Sequence, residues 1–501
     1  MPAHKPRRIL VVDLNNFARY PTLSVGILAA ALRQAGHDVH VFSPLMVGVH
    51  GVTREQRPRP WSLTVSRWNH RIATSKSPHL RRWRNHTAAK RASGIRAQGS
   101  EVAAAAVATL DELRPDLVIA STYLMYRDVT ERIAAAAKSR GIPLCLGGPY
   151  FAQPEVIESW ARIAGVSALA AGEVELELAD IVETLCQRGD PSQHRGLFCI
   201  AADGSLRGQI AAPLQQLDRV PFPDYSDFPW ERYPNRIASL VTGRGCSWGA
   251  CTFCSDVTST AGRTYRSRSL DNVLAELRHQ HQCNGTSQFV FADLKLNSNL
   301  SVWRGLAAGF QSAVPGGTWI GAVHVGPETD NGLSPADLRA AAKSGCVRLT
   351  TGLETGSERV AKAMHKGTDA NRLSAFLQAA SEAGISTRCT MVIGHPGEQA
   401  DDVAASAKFL AKHRASIERV SLNRLNVITG TRLHRNLVDK PESMPGYAIT
   451  SHDASQALVE HTAAQTAEGA HRRQVYRLLS EVHRINRKPL AERATAFEGV
   501  M

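Results

Sequence analysis

The sequence predicts an α/β protein made of two successive domains in which strands alternate with helices, followed by a helical region at the carboxyl end. Short apolar runs alternate with longer amphipathic stretches up to about residue 215, a proline-rich segment follows at 216–236, and a second alternating series covers 237–440. A chain of 501 residues is too long to fold around a single hydrophobic core, so more than one domain is expected. Its hydrophobic fraction of 43% and charged fraction of 21% are typical of globular proteins, so disorder is not expected.

The first series, residues 1–215, predicts a Rossmann-like domain. Its expected strands are 9–13, 39–42, 117–120, 144–146 and 168–171, with helices such as 26–36, 102–113 and 129–140 between them. This alternation favours a doubly wound parallel sheet. Ligands bind such sheets beyond the carboxyl ends of the strands.

The second series predicts a partial (β/α)6 barrel over residues 237–440. Segment 216–236 holds four prolines among aromatic residues and is expected to be an ordered linker. The barrel strands are expected at 239–242, 288–292, 319–323, 348–352, 386–393 and 420–427. Chemistry in such barrels belongs at the carboxyl ends of the strands. Residues 441–501 are expected to be helical, most clearly at 474–487.

Hydropathy and cysteine placement favour a cytoplasmic protein. No apolar run approaches the roughly 18 to 20 residues that cross a bilayer, so neither a signal peptide nor a membrane anchor is expected. Six of the nine cysteines are scattered singly along the chain. Scattered thiols fit a reducing compartment better than a disulfide framework.

The net charge of +14 is concentrated locally. Residues 54–97 form a segment rich in Arg, Lys and Trp, with Glu55 as its only acidic residue. This basic insertion is interpreted as a solvated helical face, a docking surface for an acidic partner, or an RNA-contacting insertion. Nucleic acid is the least expected of these partners.

Three cysteines, Cys246, Cys251 and Cys254, lie within nine residues directly after the first barrel strand. Three thiolates in one tight loop can bind three irons of a [4Fe–4S] cubane and leave the fourth iron open for a small chelating molecule. The alternatives are a zinc knuckle completed by a distant His, or three structural thiols. Zinc sites usually show a second close pair of ligands, and none is evident here.

The segment Gly243–Cys254 resembles the cluster motif of the radical S-adenosylmethionine (SAM) superfamily. The usual spacing there is C-x3-C-x2-C, whereas this chain has C-x4-C-x2-C. The resemblance implies a [4Fe–4S] cluster whose open iron chelates SAM, and an electron donor such as flavodoxin or ferredoxin. It also implies SAM-binding roles for residues in matching motifs: Phe253 in the cysteine loop, Asp293 in Phe-Ala-Asp, Glu354 and Ser357 in Gly-Leu-Glu-Thr-Gly-Ser, and Gly394 in Ile-Gly-His-Pro-Gly-Glu.

Small and polar residues follow the strands of the first domain, where the backbone can approach a ligand that carries phosphate and amide groups. This pattern resembles the cobalamin-binding domain that precedes the barrel in one radical SAM subfamily. The residues implied to bind cobalamin are Tyr20, Leu23, Ser24 and Gly26, then Ser121 and Thr122, then Gly147, Gly148 and Pro149, and finally Gly172 and Glu173.

The Asp-x-His-x-x-Gly motif, whose His binds cobalt in other cobalamin proteins, is absent from the matching turn, which reads Asp13-Leu-Asn-Asn-Phe-Ala. We therefore expect no His on cobalt. Two alternatives are a domain that has lost the corrinoid and an ordinary nucleotide-binding domain. The second alternative is disfavoured, because this sequence has no Gly-x-Gly-x-x-Gly motif after the first strand.

The subfamily resemblance implies a methyltransferase. In that reaction a 5′-deoxyadenosyl radical would abstract hydrogen from an unactivated carbon of a natural-product or peptide substrate, and that carbon would take the methyl group of methylcobalamin. The alternatives are cyclisation, ring rearrangement or oxidation with the same cofactors. An alternative of another class is an RNA-binding protein with a structural cysteine cluster.

Overall fold

The computed structural model describes residues 5–15, 19–51, 57–75, 77–255 and 264–500. The first domain contains a seven-stranded sheet in the order β2-β1-β3-β4-β5-β6-β7, in which β1 to β5 are parallel and β6 and β7 are antiparallel. Its strands are β1 (Arg8–Leu14), β2 (Asp38–Phe42), β3 (Leu117–Thr122), β4 (Leu144–Gly147), β5 (Ala168–Ala170), β6 (Leu197–Ile200) and β7 (Leu206–Gly208). The predicted doubly wound sheet is present, and the antiparallel edge was not predicted.

Helices cover both faces of this sheet: α1 (Leu23–Gln34), α3 (Pro78–Leu113), α4 (Arg127–Ser139), α5 (Pro154–Ala161) and α6 (Leu178–Cys186). Helix α2 (Ser62–Ala73) packs against α3. Strand β1 is buried over Ile9–Leu14 because its side chains pack between the two helical layers. The basic insertion contributes α2 and the first part of α3, so the helix predicted at 102–113 is the end of a 36-residue helix.

The second domain is an open barrel of six parallel strands in the order β15-β14-β13-β12-β11-β8. The strands are β8 (Ile237–Leu240), β11 (Gln288–Phe291), β12 (Thr318–Val323), β13 (Cys346–Glu354), β14 (Ser386–Ile393) and β15 (Arg419–Arg424). A short antiparallel pair, β9 (Gly243–Arg244) and β10 (Arg266–Ser267), follows β8. The helices are α7 (Leu270–Asn284), α8 (Leu300–Ala313), α9 (Pro335–Lys343), α10 (Glu358–Ala363), α11 (Ala370–Glu382) and α12 (Ala400–Lys412).

The carboxyl-terminal region is only partly helical. It contains the expected amphipathic helix, α14 (Gly469–Asn486), after helix α13 (Arg432–Asp439). It also contains an antiparallel sheet of β16 (Val427–Ile428), β18 (Leu458–Ala463) and β17 (Tyr447–Asp453). The helix expected at 474–487 is therefore confirmed, whereas the antiparallel sheet was not predicted. Strand β17 is exposed beyond Tyr447, so it lacks the alternation of apolar and polar residues that marks a half-buried strand.

The linker packs between the two domains. Tyr225, Phe228, Trp230 and Tyr233 are each at most 8% exposed, and their rings meet edge to face. The Tyr225 hydroxyl donates to the carbonyl of Ser239 in β8 at 2.7 Å. On the other side, the backbone N–H of Asp224 donates to the carbonyl of Gly26 in α1 at 2.9 Å. The linker thus joins the first helix to the first barrel strand.

Among the described residues, no helix has the length and apolarity needed to span a bilayer.

Replacing Gly26 with Ala is expected to destabilise the protein. Alanine favours helices, but a Cβ at this position would lie 2.5 Å from the Tyr225 ring and 2.9 Å from Pro223. We expect the free energy of unfolding to fall by about 1 to 3 kcal/mol, as for other overpacked cores. Urea unfolding measures this change. The control is Gly469→Ala in α14, where the nearest atom would be 3.7 Å away; an equal loss in both variants would contradict the packing argument.

Candidate functional site

The three cysteines of the motif lie in one loop between β9 and β10, and all three are half-buried. The loop is fixed on both sides. The N–H of Thr252 donates to the carbonyl of Met364 at 2.9 Å, and the N–H of Leu433 donates to the carbonyl of Thr252 at 2.9 Å. The indole of Trp248 donates to the carbonyl of His365 at 3.0 Å. These bonds hold the cysteines at the carboxyl end of the barrel.

Gly367 allows this close approach. It has φ +68°, and a Cβ there would lie 2.1 Å from the Trp248 ring. A side chain would therefore push the loop away, and it would also strain the backbone, since the left-handed region favours glycine.

A half-buried lysine lies beside the cysteines. The ammonium of Lys366 is 3.1 Å from the carboxylate of Glu354 at the end of β13. Burial alone would lower the pKa of Lys366, but Glu354 and the sulfurs of Cys251 and Cys254 raise it above its usual value. Burial raises the pKa of Cys251, and Lys366 opposes that shift. Lys366 therefore provides positive charge where thiolates are needed.

His324, at the end of β12, adds an unsatisfied polar group to this site. Its ring is 5.6 Å from that of Trp248, and it is 6% exposed. Burial and the charges of Lys366 and Lys295 lower its pKa to about 3, so the imidazole is neutral at pH 7. Within the described structure its Nε2 has no hydrogen-bond partner. A buried orphan nitrogen beside three thiols fits a site that is completed by a polar ligand.

Glu354 is held in an unusual backbone conformation. Its φ is +56°, its side chain is 7% exposed, and Thr390 lies within 3.4 Å of the same carboxylate oxygen that meets Lys366. Left-handed conformations of such residues cluster at functional sites. The predicted contact of Glu354 with SAM stays a prediction, and this geometry is compatible with it.

The carboxylate of Asp293 is hydrogen-bonded to the start of the cysteine loop. Its carboxylate accepts hydrogen bonds from the Thr242 hydroxyl at 2.6 Å and from the N–H groups of Thr242 and Gly243 at 3.0 to 3.1 Å. Burial raises the pKa of Asp293 to about 6, and the hydrogen bonds oppose the shift. Its predicted contact with SAM stays a prediction; the contacts of its carboxylate make it a positioning residue.

The remaining predicted SAM residues occupy different surroundings. Ser357 caps α10, accepting from the N–H of Val360 and donating to Asp402 at 2.5 Å, so its hydroxyl is engaged. Phe253 is half-buried against the apolar cluster of Leu425, Val427 and Leu433. Gly394 has φ +89° and open space where a Cβ would lie. Gly394 thus offers room for a ligand, whereas Ser357 supports a helix.

A cavity of about 610 Å³ lies between the first domain and the cysteine loop. The predicted residues that line it are Leu23, Ser24, Ser121, Gly147, Gly148, Pro149, Gly172 and Glu173. Barrel residues complete the wall: Val241, Arg244, Gly245, Ser255, Ala292 and Leu294. The cavity therefore opens onto the segment that carries Cys254.

Three residues predicted for the cavity lie outside its lining. Tyr20 packs against an apolar cluster at the start of the barrel strands that includes Ile237 and Phe497. Gly26 faces the linker, and the buried Thr122 follows the lining residue Ser121 on β3. Their contact with cobalamin stays a prediction. Adjacent residues in a strand or helix turn point in different directions, which motif matching ignores.

A buried polar network supports one end of the cavity. The side chain of Asn15 donates to Asp13 at 2.9 Å and to the hydroxyl of Ser121 at 2.9 Å, and Thr22 donates to Asp13 at 2.7 Å. Burial raises the pKa of Asp13, and the hydrogen bonds from Thr22 and Asn15 oppose that shift. Asn15 lines the cavity but was not predicted to bind cobalamin, although it occupies the His position of the turn that matches Asp-x-His-x-x-Gly.

Gly148 permits close packing of two strand ends. A Cβ there would lie 2.2 Å from the carbonyl oxygen of Thr122. Only glycine therefore fits between β3 and β4 at the cavity wall.

An ion-pair network, the Glu173–Arg clamp, ties the cavity to the cysteine loop. Glu173 pairs with Arg266 at 2.6 Å, and Arg244 pairs with Glu175 at 2.5 Å and with Glu173 at 3.4 Å. Arg266 also donates to the carbonyl of Leu214, whose N–H donates to Glu173. Burial would raise the pKa of Glu173, but Arg266, Arg244 and the N–H of Leu214 lower it.

The clamp connects β9 and β10, which flank the cysteine loop, to the loop after β5. Glu173 thus contributes to the cavity wall and also fixes the barrel against it. Arg244 was not predicted, although a charged residue between two glycines, two positions before Cys246, is a visible signal.

Asp293→Asn is expected to remove a pH dependence of stability. An acid whose pKa is raised by folding stabilises the folded state below its unfolded pKa of 3.8, and this contribution is lost as pH rises through about 6. Between pH 5 and pH 7.5 the wild type should lose about 1 kcal/mol of unfolding free energy relative to the variant, which has no titrating group at this position. Urea unfolding at both pH values tests this, and parallel pH profiles would refute the assignment.

Glu175→Gln is expected to weaken the clamp. It leaves the buried guanidinium of Arg244 without its shortest ion pair, which should cost about 2 kcal/mol, less than for a fully buried pair. Thermal or urea unfolding measures the loss. The exposed neighbour Glu177, changed to Gln, serves as the matched control and should change stability by less than about 0.5 kcal/mol.

Comparisons with known proteins agree with this architecture. Residues 240–410 match the family model described as the Radical SAM superfamily. An uncharacterized methyltransferase of Pyrococcus horikoshii is 25% identical over 326 residues, which cover 64% of this chain and 68% of the relative. Bacteriochlorophyllide d C-12(1)-methyltransferase of Chlorobaculum tepidum is 24% identical over 318 residues, covering 62% of this chain and 63% of the relative.

A solved structure of the cobalamin-dependent S-adenosylmethionine radical enzyme OxsB, with aqua-cobalamin and S-adenosylmethionine bound, matches 92% of this chain with a TM-score of 0.67 and 15% identity. The match covers 65% of that longer enzyme. At this identity the likeness concerns the fold, and it extends over both domains. The predicted family and fold class are confirmed. Residues 240–410 are similar to the Radical SAM superfamily, and the chain as a whole shares the fold of the cobalamin-dependent enzyme OxsB.

Proposed function

We propose that this protein is a cobalamin-dependent radical SAM enzyme that methylates an unactivated carbon of a small-molecule or peptide substrate. The observation that carries the proposal is the position of the 610 Å³ cavity, whose wall contains both strand-end residues of the first domain and residues of the cysteine loop segment. A cofactor in this cavity and a cluster on the loop would face a common space between the domains.

The three cysteines are proposed as ligands of a [4Fe–4S] cluster. Their position in one fixed loop, with the ammonium of Lys366 nearby, supports thiolate ligation. When bound, the cluster with SAM would supply a 5′-deoxyadenosyl radical, and cobalamin would supply a methyl group. The chain positions these groups and keeps water away from them, as proteins do around reactive cofactors.

SAM is proposed to lie against the ends of β13 and β14, near Glu354, Gly394 and Phe253. The Glu354 carboxylate and the Lys366 ammonium match the amino and carboxylate groups of a methionyl end in charge, and His324 offers a neutral nitrogen. Asp293 and Ser357 support the loop and the helix that frame this space.

Cobalamin is proposed to occupy the cavity without a protein His on cobalt. The described residues that line it include no His, whereas they include Asn15 at the turn where other cobalamin proteins carry that ligand. Gly147, Gly148 and Gly172 line the cavity, where a backbone without side chains allows a ligand to come close. Apolar side chains such as Leu23, Ile27 and Leu146 cover the remaining wall.

Carbon is the proposed methyl acceptor because a matched relative is named for methylation at a carbon position. Leu294, which is 46% exposed, and Ala292 lie at the barrel side of the cavity and would contact a substrate between the domains. The scattered cysteines support a cytoplasmic location, where a flavodoxin or ferredoxin would supply electrons.

Anaerobic reconstitution with iron, sulfide and hydroxocobalamin tests the proposal. We expect about four irons by cluster stoichiometry, one bound cobalt, and formation of both 5′-deoxyadenosine and S-adenosylhomocysteine. Iron and deoxyadenosine without cobalt or S-adenosylhomocysteine would leave a radical SAM enzyme and overturn methyl transfer.

Replacing Cys246, Cys251 and Cys254 together with Ala should abolish iron binding and SAM cleavage, since each is proposed as a thiolate ligand. Cobalamin binding should persist, because the cavity belongs largely to the first domain. Iron analysis and absorbance measure the outcome. The control is Cys283→Ala, an exposed thiol outside the loop, which should keep full iron content. Retained cleavage in the triple variant would contradict the cluster assignment.

A further inference from the structure

The first helix of the basic insertion, α2, presents an apolar stripe to solvent. Trp61, Val65 and Trp68 are 57%, 42% and 50% exposed. At 100° per residue, positions 61, 65 and 68 lie within about 60° of one another on a helix. We call these three residues the α2 stripe. Large apolar side chains grouped in this way mark an interaction site more often than a solvated face.

The stripe lies on the side of α2 that faces away from the rest of the protein. The guanidinium of Arg67 donates to the hydroxyl of Ser480 in α14 at 2.6 Å, and the ring of His70 meets Tyr476 at 6.2 Å. Positions 67 and 70 are about 120° to 180° from the stripe around the helix. One side of α2 is therefore fixed on α14, and the stripe is directed outward.

The charged residues of the segment that carries the stripe are all positive, and none is acidic. From Arg57 to Ser100 the sequence contains many Arg and Lys residues and no Asp or Glu. Arg59 and Arg71, one at each end of α2, are exposed, and Arg59 lies over the Trp61 ring at 5.8 Å. This surface favours an anionic partner.

We propose that the α2 stripe and its flanking arginines bind the surface of an anionic lipid bilayer. Tryptophan rings favour the boundary between head groups and acyl chains, and arginines beside them pair with lipid phosphates. Helix α2 has 12 residues, too few to span the bilayer, and its opposite side is fixed to α14, so it lies in the plane of the interface.

A lipid surface explains the stripe better than the two other anionic partners. A single-stranded nucleic acid is bound in a basic groove that follows its backbone, with aromatic rings for base stacking, whereas this stripe is convex and contains an aliphatic residue, Val65. An acidic protein would require complementary polar contacts around the rings. The convex apolar stripe with basic ends matches interfacial helices.

The test uses the reconstituted full chain and vesicles of phosphatidylcholine, with or without one quarter phosphatidylglycerol. We expect sedimentation with the anionic vesicles at moderate salt, several-fold less with neutral vesicles, and quenching of tryptophan fluorescence by lipids with brominated acyl chains. Trp61→Ala with Trp68→Ala should weaken binding to anionic vesicles at least tenfold and remove most of the quenching. Arg59→Gln with Arg71→Gln should weaken binding only to anionic vesicles.

The control is Val438→Ala, a similarly exposed apolar residue in α13 that should leave binding unchanged. Circular dichroism and iron content show whether the variants are folded, since all substituted residues are exposed. Absence of sedimentation with anionic vesicles would overturn the proposal. So would unchanged binding in the double tryptophan variant, or tryptophan-dependent binding to single-stranded RNA that vesicles fail to displace.

Discussion

The Glu173–Arg clamp is the interaction on which the geometry of the site depends. Glu173 and Glu175 follow the last parallel strand of the first sheet, whereas Arg244 and Arg266 lie on the two strands that flank the cysteine loop. The clamp therefore fixes the wall of the cavity against the cysteine loop. Because its members are largely buried, solvent screens these charges less than it screens surface pairs. The linker rings around Tyr225 hold the same two domains together by apolar packing.

Much of this arrangement could be predicted from local sequence patterns. The parallel strands of the first domain contain short apolar runs, and the cysteine loop is recognisable by its spacing. Contacts between distant segments could not be predicted in this way. Tyr20 and Gly26 looked like cavity residues, yet they pack against the barrel and the linker, because the direction of a side chain depends on packing that no motif encodes.

The same limit explains Asp293, Ser357 and the carboxyl-terminal sheet. Asp293 and Ser357 were recognised as motif members, and the structure shows what their side chains bind: a strand end and a helix end. Strand β17 has little buried surface, so its sequence carries almost no periodic signal. Strand β17 is held by its pairing with β18, which pairs with β16 on its other edge. Lys366 and His324 acquire their roles only when the barrel brings the strand ends together.

Helix α3 connects the basic insertion to the core of the first domain, next to the cavity. Its 36 residues extend about 54 Å, from the basic segment to Val102, Ala106 and Leu110 in the core of the first sheet. The same core contains β3 and β4, whose ends form the cavity wall. A continuous helix resists bending, so α3 couples the orientation of the basic insertion to that of the first domain. A partner that binds the basic insertion would therefore also fix the direction in which the cavity opens.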